Sequence, residues 1–355
     1  MAWQKQKLET KLLEKLKQDF EENPTIADKY YGYYTSARDI LISENIFNAI
    51  NIIKKDLSDH GENHIMDVMN NALKLLDKEI DNLEGLQIYF ICMLILFHDV
   101  GNLTVDRNKH HEQSVIREVY DHIRHKLTEF EEERSLVPMV ASKHSGSASD
   151  GSKDTIKELT LLPPYLFGCE IYSKKCAALL RLADELAEGH HRTSIFMNKY
   201  YDYPYDKHSV IYHKYAKITK TNIDKKNERI CLTYYFSIDA KNGVISEESH
   251  KEFVELFDFT IRRMLKVEAE RKYCKYYCDW LEPFKKTDVT FNFMVENEVD
   301  GEGIKSIDAN PGFSQIILND LVLPGEESSI RFNSEQSSFA PEKVFNSIKA
   351  SLNEK

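Results

Sequence analysis

Several features that mark specialised proteins are missing from this chain of 355 residues. Its six cysteines contain no CxxC pair, it has no internal repeat or low-complexity tract, and no apolar run approaches the roughly 18 residues that cross a bilayer. The N-terminal stretch is amphipathic and of mixed charge, unlike a signal or transit peptide. We therefore expect a cytoplasmic protein with reduced thiols that does not cross a membrane.

Net positive charge is missing as well. Asp and Glu number 58 against 47 Lys and Arg, which gives a formal net charge of −11. Broad binding to duplex nucleic acid needs a surface rich in Lys and Arg, so this function is not expected, whereas a small charged ligand in a local pocket stays open. A hydrophobic content of 42% and a charged content of 30% are typical of a soluble enzyme or binding protein.

The first two hundred residues have a helical pattern. Apolar residues recur at three- and four-residue intervals, most clearly over 37–58, 64–80, 86–99, 110–127 and 171–188. Residues 161–168, with two prolines, are interpreted as a turn-rich connector. This pattern predicts an all-α domain over residues 1–204.

The remaining residues have a mixed pattern. Residues 209–221 and 229–239 are rich in β-branched and aromatic side chains, which predicts a β-hairpin. A long helix is expected from about 247 to 280, then a strand over 287–296 and further short elements before a closing helix. The whole is predicted to be an α+β fold, with a smaller α+β domain over residues 205–355.

One buried helix of the first region ends in two polar residues. Between Leu86 and Phe97 the only strongly polar side chain is Gln87, so the segment is predicted to be a helix buried nearly all round. It is followed at once by His98 and Asp99. An ionised carboxylate in an apolar interior costs several kcal/mol unless it is paired or binds a metal. A partner for Asp99 is therefore expected.

Other histidines and acids occupy comparable positions at helix ends or on apolar helix faces. The candidate ligands are His64, His98, Asp99, either His110 or His111, His144 and Asp184. His60 lies four residues before His64, but Gly61 between them predicts that the helix begins later. Imidazole and carboxylate together suit Mn²⁺, Fe²⁺, Zn²⁺ or Ni²⁺, and two such ions can share one carboxylate, for which Asp99 is the candidate.

The order and setting of these residues resemble the HD superfamily of metal-dependent phosphohydrolases, in its two-metal form H…HD…H…H…D. The stretches that carry the resemblance are HIMDV, LILFHDVGN, HHEQS and LLRLADELAE, together with His144, over roughly residues 60 to 195. The resemblance implies an all-α bundle that hydrolyses a phosphate ester or anhydride with metal-activated water. An HD pair alone is weak, whereas five motifs in order are a specific signal.

The resemblance also implies a ligand assignment for one or two ions. His64, His98, Asp99 and Asp184 would hold the first ion, and His110, His144 and the shared Asp99 would hold the second. His110 is preferred to His111 because Ser114, four residues later, matches the small residue common in that motif. The chain departs from the usual pattern at Asn102, where many members have a lysine, and at Ser145, where many have a second histidine.

Further residues near the motifs are candidates for contact with substrate. They are Lys143, His191, Arg192, Asn102 and His111, with Glu112 as a candidate general acid or base. A solvated surface position is the competing interpretation for Lys143 and Glu112. For His191 and Arg192 the competing interpretation is a helix end at Gly189, which would give this stretch a surface role.

The function that these observations predict is a metal-dependent hydrolase acting on a nucleotide or another small phosphorylated molecule. One alternative is a di-iron oxygenase, since some members of the wider superfamily hold two irons with the same ligand order. A second alternative is a ligand-sensing regulatory module. Assembly into a homo-oligomer stays open.

Overall fold

The computed structural model describes residues 3–53, 60–103, 109–124, 131–160, 163–193, 207–301, 303–320, 332 and 337–353. The chain forms two compact units, one of residues 1–187 with 273–282 and the other of residues 188–272 with 283–355. The domain boundary predicted between residues 204 and 205 lies outside the described residues. The α+β fold is confirmed.

The first unit is built mainly of helices. They are α1 (Lys7–Asp19), α2 (Pro24–Ser43), α3 (Ile46–Ile53), α4 (Glu62–Leu76), α5 (Gly85–Phe97), α6 (Gln113–Arg124), α7 (Glu131–Ala141) and α8 (Ser173–Glu185). Short 3-10 turns follow several of them, among them Val100–Leu103 after α5 and Ser142–His144 after α7. Two short strands, β1 (Tyr165–Leu166) and β2 (Cys169–Glu170), pair antiparallel.

Helix α5 is the centre of this unit. All of its residues are buried, and α1, α2, α4, α7 and α8 pack around it. Glu84 and Gln87 form a reciprocal capping box at its start. Because α5 has no polar face, burial on all sides is the arrangement that removes its apolar surface from water. Its C-terminal end therefore delivers His98 and Asp99 into the interior.

The stretch Gly85–Leu103 is long and apolar enough to span a bilayer, unlike our expectation that no such run occurs. It has 19 residues and a mean hydropathy of 1.5. However, 94% of it is buried inside the protein, as in the core helix of a soluble protein. Most of this hydropathy comes from α5, whose residues include no charged side chain.

Two expectations for the first unit need correction. The helical pattern over 37–58 belongs to two helices, since α2 ends at Ser43 and α3 begins at Ile46, with Asn45 between them in a left-handed backbone (φ 59°); residues 54–58 lie outside the described residues. The connector predicted over 161–168 contains β1, which pairs with β2 across a turn at Phe167 and Gly168, both with positive φ. The unit is therefore not purely helical.

The second unit contains a mixed sheet and three helices among its described residues. The helices are α9 (Lys207–Ile218), α10 (Glu247–Tyr277), whose last residues belong to the first unit, and α11 (Pro341–Asn353). The strands are β3 (Thr219–Asp224), β4 (Arg229–Lys241), β5 (Val244–Ile245), β6 (Lys286–Val299), β7 (Gly303–Ala309) and β8 (Gln315–Asn319).

The sheet has the order β3-β4-β6-β7, with β5 paired to β4 and β8 paired to β6. Only β4 and β6 run parallel, from Arg229 opposite Lys286 to Lys241 opposite Glu298, and α10 provides the crossover between them. Side chains along β4 alternate between buried and more exposed positions. One face of the sheet is thus covered, and aromatic rings of α10 such as Phe253 and Phe257 pack there against Phe236 and Phe293.

The β-hairpin predicted over 209–239 is wrong in its first half. Residues 207–218 form helix α9, and only Thr219–Asp224 pair with β4. The buried side chains Ser209, His213 and Ala216 are spaced four and three residues apart, which is the helical period. Tertiary packing of that face outweighed the β propensity of the composition. The second half of the prediction, strand 229–239, is confirmed.

Candidate metal centre

The candidate ligands come from separate elements of the first unit. His64 lies in the first turn of α4, His98 and Asp99 follow α5, and His110 lies in the segment before α6. His144 ends the turn after α7. Asp184 lies in the last turn of α8. Packing of α4, α7 and α8 against α5 brings these helix ends together.

One carboxylate oxygen of Asp99 lies close to three imidazole nitrogens. Its Oδ2 lies 2.7 Å from His60 Nδ1, 3.3 Å from His98 Nε2 and 3.4 Å from His64 Nε2. Asp184 Oδ1 lies 3.2 Å from the same His64 nitrogen and 3.7 Å from His98 Nε2. One group of donor atoms therefore includes both carboxylates.

The second oxygen of Asp99 faces a different group. Its Oδ1 lies 3.7 Å from His110 Nε2 and 3.8 Å from His144 Nε2. The same oxygen accepts a hydrogen bond from Asn102 Nδ2 at 3.3 Å. Because the two oxygens point to different histidines, Asp99 has the geometry of a carboxylate that bridges two sites.

Backbone carbonyls orient two of the rings. His98 Nδ1 lies 2.9 Å from the Ile95 carbonyl oxygen, and His144 Nδ1 lies 2.7 Å from the Ala141 carbonyl oxygen. A carbonyl can only accept, so Nδ1 must carry the proton in both rings. The Nε2 atom of each ring is then directed toward the carboxylates, and in the neutral form of the ring it would offer a lone pair, which is the usual orientation of a histidine that binds a metal.

Several buried nitrogens lack a hydrogen bond. Within the part of the chain that the structure describes, His64 Nδ1, His64 Nε2 and His98 Nε2 have no hydrogen-bond partner. An unsatisfied polar atom in the interior costs about 1–3 kcal/mol, so such atoms need an explanation. Nitrogens that face carboxylates without bonding to them fit a cation between the donors.

The electrostatics of the cluster favour a positive charge. Burial lowers the pKa of His98, but Asp99 and Asp184 outweigh this effect and raise the pKa well above its usual value. Burial acts to raise the pKa of both carboxyl groups, yet the neighbouring histidines hold these pKa values well below their usual range. Burial, followed by the charge of His98, lowers the pKa of His144 to about 3. The carboxylates thus stay ionised and attract any cation that can enter.

Three groups of these residues could hold a metal ion, with donor atoms within 4.8 Å of one another. They are His60, His64 and Asp99; His64, His98 and Asp184; and Asp99, His110 and His144. His64 and His98 are fully buried, whereas Asp184 exposes 26% of its side chain, so the cluster is reachable from solvent. The donors suit a divalent transition metal.

The model of one protein family, described as HD-CE, matches residues 55–263, more than half of the chain. The chain belongs to the HD-CE family. The matched region is HD-like, includes all six predicted ligands and continues beyond the predicted domain boundary at residue 204. Neither the curated proteins nor the solved structures contain a match to this chain.

The other residues predicted near the HD-CE site have varied surroundings. Asn102 is buried and bonds to Asp99, while its Oδ1 has no partner among the described residues. Lys143 Nζ pairs with Glu158 at 2.8 Å. Glu112 is exposed just before α6. Asn102 therefore contacts Asp99 directly, whereas Lys143 and Glu112 are placed on the outside of the cluster.

His111 lies beside His110 but outside the three metal-compatible groups. Its ring packs so closely over Gly146 that a Cβ at this glycine would overlap Nε2. Burial, followed by the charge of His110, lowers the pKa of His111; Glu112 acts in the opposite direction, and Lys153 and Lys143 lower the pKa further. Charged side chains of both signs therefore lie near the His111 ring.

His191 and Arg192 belong to the second unit. They lie in the single 3-10 turn His190–Arg192, His191 being exposed and Arg192 buried. Helix α8 ends at Glu185, before Gly189, so the helix does not continue into this stretch, but the surface role that was the competing interpretation fits His191 and not the buried Arg192. Their contact with substrate stays a prediction.

His60 is the member of the cluster that sequence reasoning missed. Helix α4 does begin after Gly61, as expected, but the extended backbone of that residue still lets the His60 ring reach Asp99. The signal was the spacing HGENH, which places two imidazoles on either side of a helix start. Only the position of the α5 end made this spacing meaningful.

Proposed function

We propose that this HD-CE protein is a metal-dependent phosphohydrolase that acts on a nucleotide or another small phosphorylated molecule. The observation that carries the proposal is the pair of donor groups on the two oxygens of Asp99. They support two neighbouring divalent ions, Mn²⁺, Fe²⁺, Ni²⁺ or Zn²⁺. When bound, such ions lower the pKa of a water and offset charge on phosphoryl oxygens.

The protein's own residues would prepare this site in three ways. Asp99, held by Asn102, stays ionised and bridges the two donor groups. The carbonyl contacts of His98 and His144 keep their Nε2 atoms directed inward. Preorganised groups of this kind need no rearrangement during the reaction. Electrostatic catalysis gains most of its effect because this reorganisation is avoided.

Substrate recognition is proposed at the rim next to the second donor group. His111 and Lys143 lie on this side, and a phosphoryl group carries the charge that such donors bind. Glu112, exposed beside His111, is the proposed acid or base that exchanges a proton with the leaving group. A small-molecule substrate agrees with the net charge of −11, which disfavours binding of duplex nucleic acid. A cytoplasmic location is part of the same proposal.

The test is a hydrolysis screen on the full chain loaded in turn with Mn²⁺, Fe²⁺, Ni²⁺ and Zn²⁺. The substrates are nucleoside mono- and triphosphates, deoxynucleotides and cyclic nucleotides, with metal content measured on the same samples. Asp99→Asn and Asp184→Asn should each lower kcat/KM at least about a hundredfold, since changes outside the ligand set already cost 10–100-fold. Asp121→Asn, in an exposed ion pair with Arg134, is the matched control and should keep full activity.

The proposal fails if the protein binds metal normally but hydrolyses no member of the panel. A di-iron spectroscopic signature together with oxygen consumption would favour the oxygenase alternative instead. Full biological activity of Asp99→Asn would favour a regulatory module that needs no intact ligand set.

A further inference from the structure

His60 occupies a position that the HD ligand order does not include. It precedes α4 and exposes 15% of its side chain, and its Nδ1 lies 2.7 Å from Asp99 Oδ2. Its ring also lies against His64, with ring centroids 5.3 Å apart. The imidazole is thus built into the cluster beside the first donor group.

The spacing of the donor atoms is that of ligands around one ion. With metal–ligand bonds of about 2.1 Å, neighbouring donors lie about 3.0 Å apart in an octahedron and about 3.4 Å apart in a tetrahedron. Around Asp99 Oδ2 the three imidazole nitrogens lie at 2.7, 3.3 and 3.4 Å. The contacts of His64 and His98 fall in this range, whereas the His60 contact is shorter and has the length of a hydrogen bond. His60 Nδ1 therefore lies beside the same oxygen as the other two nitrogens and needs only a small shift to reach the spacing of a ligand.

The two groups that contain His64 share its imidazole. His64 Nε2 faces Asp99 Oδ2 at 3.4 Å and Asp184 Oδ1 at 3.2 Å, and one imidazole lone pair binds one cation. A single ion in contact with that nitrogen has both carboxylates within reach. Through Asp99 Oδ2 it also has His60 within reach.

We propose that His60 Nδ1 is a fifth protein ligand of the first cation, together with His64, His98, Asp99 and Asp184. Five protein donors leave one position of an octahedron open for water or substrate. This number favours Mn²⁺, Fe²⁺ or Ni²⁺ over Zn²⁺, which is almost always four-coordinate in closed protein sites. The inference rests on the cation binding of the proposed function but not on hydrolysis.

The test uses the full chain loaded with Co²⁺, a paramagnetic ion that shifts the proton resonances of its ligands. Each coordinated imidazole keeps one N–H, which gives a separate shifted and exchangeable resonance. The variants are His60→Ala and His60→Gln, and the control is His122→Ala, an exposed histidine paired with Glu44. Thermal unfolding of the metal-free variants checks that each is folded.

Both His60 variants should show one shifted imidazole resonance fewer than the wild type and at least tenfold weaker Co²⁺ binding. The control should match the wild type in both measurements. An unchanged number of shifted resonances, even with weaker binding, means that His60 only orients Asp99 and overturns the proposal. Failure of the wild type to bind any Co²⁺ overturns both this inference and the proposed hydrolase function. If a His60 variant is active and shows as many shifted imidazole resonances as the wild type, this inference alone is overturned.

Discussion

Substitution of Gly101 by Ala tests how the end of α5 positions the second donor group. Gly101 lies in the buried 3-10 turn two residues after Asp99, directly against the backbone of His110. A Cβ at this position would overlap the His110 carbonyl oxygen and would lie 2.8 Å from its carbonyl carbon and 3.0 Å from its Cα. Backbone atoms cannot rotate away as a side chain can.

The size of the effect follows from these distances. Carbon atoms in contact normally lie about 3.5–4.0 Å apart, so the two segments must separate by roughly 1 Å. Overpacking of this kind typically costs about 1–3 kcal/mol in the free energy of unfolding. The same movement carries His110 Nε2, now 3.7 Å from Asp99 Oδ1, away from its group. We expect loss of the second bound cation while the first remains.

The assay combines urea unfolding of the metal-free protein with a count of bound Mn²⁺ per chain. The matched control is Gly32→Ala in α2, where an added Cβ meets nothing within 4 Å. Because alanine is the better helix former, the control should be unchanged or more stable by up to about 1 kcal/mol. A Gly101→Ala protein within about 0.5 kcal/mol of the wild type, with unchanged metal content, would refute the reasoning.

Three further predictions concern stability. Glu133→Ala removes the carboxylate that pairs with buried Arg124 and should lower the free energy of unfolding in urea by about 3–5 kcal/mol. Arg134→Ala, which breaks an exposed pair, should change it little. Equal effects of the two substitutions would contradict this reasoning. Phe257→Ala should lower the free energy of unfolding by about 3–5 kcal/mol because the Phe257 ring is fully buried. Tyr235→Ala should have a much smaller effect because Tyr235 on β4 is half exposed. The reverse order would mean that the covered face of the sheet is misassigned. Chelation should lower the melting temperature, and Mn²⁺ at a thousandfold excess over its Kd should restore about 4 kcal/mol; no change on chelation would argue against a resident cation.

Much of the fold could be predicted from local pattern. The uniform apolarity of Leu86–Phe97 required a helix buried on all sides, and α5 is that helix. Residues 209–218 show where this reasoning stops, because β-branched and aromatic side chains there form α9. The composition of a segment indicates which secondary structures its residues can adopt. The spacing of its buried side chains decides which of them forms.

The candidate site divides in the same way. His98 and Asp99 could be identified from the cost of placing polar groups after an apolar helix, and the order of the remaining motifs supplied the other candidates. His60 could not be identified, because a histidine just outside a helix start has no periodic signal. Its contact with Asp99 Oδ2 exists only because α4 packs against α5.

The sequence by itself determined which helix must be buried and which side chains would be costly there without a partner, since both follow from the chemistry of each residue. Tertiary structure decided which oxygen of Asp99 faces which histidine, and that His60 joins the cluster while Lys143 pairs with Glu158. Those outcomes depend on separations of a few ångströms between segments that are distant in the chain. Such distances arise from packing, which no short stretch of sequence encodes.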